Sequence, residues 1–215
     1  MKFKKRLLSF AAIFLLFSAM YLNSVADETK SNKELDSWGE YLATQNTNPK
    51  FRSRSTKKKS YAKGNHIIVT SEDIAQAKIF FSIAGMTDEI ATEAAYEHVT
   101  QRESLYYQAL QNGYLCSDGE VLEKIQELKD ILIGENASTE SKQQAEEIIK
   151  HFDNEEAYWD YQKKVYEKNL PIEKYVSSLM DLYYQENPNA SSDDWNEYFE
   201  TFKRELVREE NVQIN

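Results

Sequence analysis

Cysteine is nearly missing from this chain. Cys116 stands alone among 215 residues, so no disulfide closes within it and the fold must rest on packing. Its neighbours Tyr114 and Leu115 mark it as a half-buried structural thiol. Proline and glycine are also sparse, at three and six residues, which leaves long stretches uninterrupted by helix breakers. No apolar run follows residue 22, so nothing beyond that point is expected to cross a membrane. Motifs that carry chemistry are lacking too. There is no Gly-rich phosphate loop, no nucleophile elbow, and no His-Glu-x-x-His or Cys-x-x-Cys spacing. The three histidines, His66, His98 and His151, lie far apart in sequence. His98 falls on the edge of an apolar helix stripe and reads as a satisfied, half-buried side chain. Carboxylates sit at helix starts and on polar faces, where they serve caps and solubility rather than the paired acid–base work that needs two separated pKa values. No enzymatic activity, cofactor or metal is expected.

What is present begins with a basic start, Met1-Lys2-Phe3-Lys4-Lys5-Arg6, followed by an apolar run from Leu7 to Leu22 and by Ser24-Val25-Ala26. This is the pattern of a secretion signal with small residues before a cut. Residues 1–26 are therefore expected to be a signal peptide of bacterial type, cleaved after Ala26. An uncleaved anchor is the alternative, although the run is shorter than the roughly 20 residues that span a bilayer. The working part is thus expected outside the cytoplasm, secreted or held at the outer face of the membrane or cell wall.

Charge is distributed unevenly. From Lys50 to Lys63 there are seven Lys or Arg and no acid, whereas Gly64 to Asn215 holds 13 bases and 31 acids. A body so acidic does not grip phosphates, which excludes nucleic acid as a partner. Residues 27–63 have few apolar side chains and no sustained period, and read as a flexible polar and basic linker. Its Lys50–Lys63 stretch could contact anionic membrane or cell-wall polymer, each charge contributing about 1 kcal/mol at such a surface.

Residues 64–215 read as one all-α domain of five to seven helices, without a sheet of three or more strands. His66 to Val69 is extended. Thr70 and Asp73 have capping-box spacing and open a helix through Ile74, Ala77, Phe81 and Ala84, which Gly85 ends. Thr87 opens the next, with Ala91, Ala95, Val99, Tyr106 and Leu110 on one stripe and Gly113 at its stop. Ser117 and Glu120 form another capping box, after which Val121, Ile125, Leu128 and Leu132 keep a helical face that Gly134 ends. A shorter helix carries Ala145, Ile148, Ile149 and Phe152. Three aromatic-rich helices are then expected, punctuated by Pro171 and by Asn187-Pro188, the last running from about Asp193 to Glu209.

Fourteen Tyr, ten Phe and three Trp are many for a helical chain. In the adjacent pairs Phe80-Phe81, Tyr106-Tyr107 and Tyr183-Tyr184, neighbouring side chains point about 100° apart, so one ring can pack inward while the other faces out. Outward rings are the usual anchors of sequence-tolerant recognition. The candidate contact residues are Phe80, Phe81, Met86, Tyr106, Tyr107, Tyr114, Trp159, Tyr183 and Tyr184.

Three stretches carry a family likeness: Val69 to Ile74, Glu97 to Tyr106, and Ala109 to Val121 with its Gly113-Tyr114 and Ser117-Asp118-Gly119-Glu120. Together they resemble the N-terminal helical domain of the SurA and PrsA class of extracytoplasmic foldases, with Gly119 standing where the family has an acid. Tyr158 to Ile214 is similar to that family's closing helices. The resemblance implies a chaperone fold, related to trigger factor, in which the closing helix packs back on the first ones. It does not imply isomerase activity, because the 22 or so residues between Leu132 and Glu155 leave no room for a parvulin domain. The expected function is a chaperone-like module that binds unfolded or nascent exported polypeptides. A dedicated envelope module with a single partner is the alternative.

Overall fold

The structure is a computed structural model and describes residues 28–47 and 59–215. The signal segment and most of the basic stretch lie outside the described residues. The described chain is all-α in character, with seven helices and three very short strands. In chain order these are α1 (Glu28–Thr47), β1 (Ser60–Lys63), β2 (Ile68–Thr70), α2 (Ser71–Ile83), α3 (Asp88–Gln111), α4 (Asp118–Leu132), α5 (Thr139–Ile149), α6 (Glu155–Glu186), α7 (Ser192–Glu210) and β3 (Gln213–Ile214). Six helices follow Thr70, within the expected number.

Helix boundaries follow their local chemistry. The Thr70 hydroxyl accepts from the Asp73 amide at 3.1 Å, and the Ser117–Glu120 and Ser191–Asp194 pairs are complete capping boxes. Each supplies partners for amides that a helix start leaves open. Gly85 and Gly113 adopt positive φ, at 93° and 80°, where a side chain would be strained. Each closes its helix with the paired bonds of a Schellman motif: Met86 to Phe81 O and Gly85 to Ser82 O, then Tyr114 to Ala109 O and Gly113 to Leu110 O.

Packing divides the described chain into two compact units, each discontinuous in sequence. The first holds α1, residues 79–86, α4, α5 and the start of α6. Here α1 and α4 pack on α5. Gly39 of α1 makes the close approach, since a Cβ there would lie 2.8 Å from the Ile148 backbone. Val121, Ile125 and Leu128 are buried together as their spacing predicts, while Leu132, the last residue of α4, is half-buried.

The second unit holds β1, β2, the start of α2, α3, the rest of α6, α7 and β3. Here α7, carrying Trp195, Phe199 and Leu206, packs on α3, which carries Val99. Beneath Thr70, Arg102 reaches Asp73 at 3.0 Å and Glu103 at 2.9 Å, and Lys168 closes on Glu103 at 2.5 Å. Burial alone would raise the Asp73 pKa, but the Arg102 charge and the Thr70 hydroxyl outweigh it and hold the carboxyl below its ordinary range.

Three features differ from the sequence reading. Two elements lie in the stretch read as a linker: β1, and α1 with Leu35, Trp38 and Leu42 buried on one face. Those three and Ala43, also buried, stand among many polar residues, too few to raise a periodic signal. A sheet of order β2-β1-β3 also forms, Ala62 pairing with Val69 on one side and Ile214 on the other. This corrects the expectation of no three-stranded sheet. Its strands are of four, three and two residues, below the length at which alternation shows.

Finally, Pro171 does not end a helix, and two helices rather than three follow Asn154. Pro171 lies inside α6, fully buried. Having no N–H, it leaves the carbonyl of Glu167 without the usual helical donor. The Cys116 thiol donates to that oxygen at 3.4 Å.

Candidate binding site

Aromatic rings of the second unit form one continuous chain. The Schellman turn at Gly113 brings Tyr114 back toward α6, where its ring lies 5.5 Å from that of Tyr175. Tyr175 meets Phe202 of α7 at 6.5 Å, Phe202 stacks on Tyr198 at 6.2 Å, and Tyr198 stacks on Tyr183 at 4.8 Å. Trp195 sits among Tyr183, Tyr184, Tyr198 and Phe199, all within 6.5 Å. These separations fall in the range where offset and edge-on rings attract one another. The geometry follows from local sequence. On α7, Trp195, Tyr198, Phe199 and Phe202 recur at spacings of three, one and three, one face of a helix. The turn from Asn187 to Ala190 is short and hydrogen-bonded to the end of α6, which sets Tyr183 and Tyr184 opposite the start of α7.

Burial grades across this cluster. Trp195 is only 2% exposed, and its indole N–H has no hydrogen-bond partner. Tyr183 and Tyr184 are half-buried, Tyr198 is 40% exposed, and Leu182 beside Tyr183 is 52% exposed. Asp194 is held ionised by the Ser191 hydroxyl and amide, which lower its pKa. Tyr183 is shifted upward, by desolvation first and then by the negative charges of Asp194 and Glu197. The open rings therefore lie in a negative field.

Of the nine residues singled out from sequence, Tyr114, Tyr183 and Tyr184 belong to this chain of rings. Tyr106 and Tyr107 are half-buried elsewhere in the same unit. Lys168 sits over Tyr106 at 5.0 Å, and His66 stacks on Tyr107 at 4.5 Å with its amide bound to Glu210 at 2.7 Å. Phe80, Phe81 and Met86 belong to the first unit, where both rings are half-buried and Trp38 meets Phe80 at 5.4 Å. Trp159 is a correction to the outward-ring expectation. It is 3% exposed on the same face of α6 as Tyr158, Gln162 and Tyr166, with its N–H donating to Glu155 at 2.9 Å and Lys129 over its ring at 5.2 Å.

Trp195, Tyr198, Phe199, Phe202 and Tyr175 were not among the residues singled out from sequence. The missed signal lies in composition: residues 175–202 hold seven aromatic residues, six acids and no Lys, Arg or His. His151 bonds Asp36 at 2.8 Å, and burial, helped by the charges of Arg102 and Lys203, pushes the His98 pKa down to about 4. Among the described residues, no group of three or more metal-ligating side chains is assembled, and no helix is long and apolar enough to cross a membrane. Comparison with protein-family models, curated proteins and solved structures gives no match for this chain.

Proposed function

We propose that this protein is an extracytoplasmic, ATP-independent polypeptide-binding module that shields unfolded or newly exported chains and does not isomerise prolines. The observation that carries the reading is the ring chain from Tyr114 to Tyr198, buried at Trp195, half-buried at Tyr183 and Tyr184 and open at Tyr198. Rings anchored at one edge give contact area at low entropic cost, since ordering them is already done. The secretion pattern at residues 1–26 and the foldase resemblance support the location and the class. The second reading is a dedicated module with one partner. The mutual stacking of these rings favours it, because a surface so fixed suits one shape better than many.

One preparation of residues 27–215 tests the proposal in two assays. Light scattering of a denatured reporter should fall at several-fold excess of the protein, while a proline-limited refolding rate should stay unchanged. Unchanged scattering would remove the chaperone reading and leave the dedicated one. Faster refolding would contradict the absence of isomerase activity.

A further inference from the structure

We infer that the corner where α6 meets α7 takes lysine- or arginine-bearing segments of polypeptide. This deepens the proposed function by naming the chemistry of the client, and it rests on that reading. Residues 175–202 combine seven rings with Asp181, Glu186, Asp193, Asp194, Glu197 and Glu200 and contain no base. Nothing within that stretch neutralises its own field. A ring face attracts an ammonium or guanidinium group through its quadrupole, and a nearby carboxylate adds to the attraction.

The same helix shows the arrangement already occupied one turn later. The Lys203 ammonium lies 5.2 Å from the Phe199 ring centre and 2.7 Å from a Glu200 carboxylate oxygen. Ring below and carboxylate beside is the motif. At the start of α7 the rings are Tyr183 and Tyr198, the carboxylates whose charges reach Tyr183 are Asp194 and Glu197, and no cation of residues 175–202 can fill the place.

Trp195 adds a second requirement. Its buried indole N–H is without a partner, and a buried donor is costly to leave unpaired. A peptide brings a carbonyl acceptor together with its cationic side chain, whereas a small free cation brings none. Tyr198, the most exposed of the surrounding rings, is the one that turns to admit it. The acidic balance of the body, 31 acids against 13 bases over residues 64–215, draws basic segments in and turns acidic ones away.

The experiment compares two peptides with the same apolar residues, one bearing lysines where the other bears glutamates, titrated into residues 27–215. The lysine peptide should bind roughly tenfold tighter at low salt, and most of that preference should vanish at about 0.5 M NaCl. The double variant Tyr198→Ser, Glu197→Gln leaves the Ser191–Asp194 cap intact and should lose most of the preference while keeping its helical circular dichroism. Equal binding of the two peptides, or a preference unchanged in the variant, overturns the inference. Competition by tetramethylammonium as strong as that of the lysine peptide overturns it too, in favour of a small cation. Suppressed aggregation without any charge preference would defeat this inference alone, whereas absence of both would defeat the proposed function with it.

Discussion

Trp159 and Trp195 are buried to nearly the same degree, 3% and 2% exposed, and both sit among other rings, yet their surroundings differ in kind. Around Trp159 the indole N–H and the ring face both have partners. Its N–H meets Glu155, Lys129 covers its face, and Tyr158 packs at 4.8 Å with a phenol that burial holds well above its usual range. Around Trp195 the N–H is unpaired, Lys203 covers the rim only at Phe199, Asp194 and Glu197 act on Tyr183, and Tyr198 opens to solvent. Burial of the central ring therefore does not by itself set the two clusters apart. What separates them is whether the polar atoms and charges at the rim already have partners.

Truncation breaks or sharpens that contrast most strongly. Trp159→Ala should destabilise the protein by about 3–5 kcal/mol, as loss of a large buried ring does, read from the urea midpoint at constant slope. Tyr198→Ser should cost less than about 1 kcal/mol, because its ring is partly solvated already. Similar losses for the two would place both clusters in the core.

A smaller effect comes from pH. Lys203, which covers Phe199 at the edge of the open cluster, also presses with Arg102 on His98, whose pKa burial has driven down to about 4. The folded state thus binds this proton more weakly than the unfolded chain, whose histidine titrates near 6.5. Above about pH 6.5 His98 has no effect on stability. As pH falls from there toward 4 the unfolded state takes the proton first, and stability drops by on the order of 2–3 kcal/mol. His98→Gln should flatten that part of the stability–pH curve, and an unchanged slope would show that His98 is protonated readily in the fold.

The least costly change concerns the buried proline. Cys116→Ala should cost about 1 kcal/mol or less, the ordinary loss of one hydrogen bond. In a Pro171→Ala background residue 171 supplies the missing N–H to Glu167, and the cost should shrink toward zero. An undiminished cost in the double variant would assign the thiol to packing instead.

These cases also show which parts of the molecule its sequence announces. Local rules carried the helix ends, because Ser117 with Glu120, and Gly85 or Gly113 at positive φ, act within a few residues of themselves. Val121, Ile125 and Leu128 were legible for the same reason. Pro171 was misleading because it is buried inside a continuous helix, and the thiol that bonds its freed carbonyl, Cys116, lies 55 positions away and leaves no periodic trace. The helix α1 escaped because Leu35, Trp38 and Leu42 are few among polar residues, and the sheet because it joins the chain's last residues to a strand near residue 60. At the site, Tyr114, Tyr183 and Tyr184 could be named as rings, whereas their union with Tyr175, Trp195 and Tyr198 depends on the turn at residues 187–190. Trp159, by composition an equal candidate, differs only in a helix face shared with Tyr158 and Tyr166.

The central claim is that the open rings of the second unit, and not the aromatic load as a whole, hold client chains. It is tested most directly by aggregation of a denatured reporter in the presence of wild type, of Tyr183→Ser with Tyr198→Ser, and of Phe80→Ser with Tyr107→Ser, each checked for native helicity. The account predicts that wild type and the second pair suppress scattering alike while the first pair loses most of its protection. Equal protection by all three, or a loss confined to the Phe80 and Tyr107 pair, would contradict it.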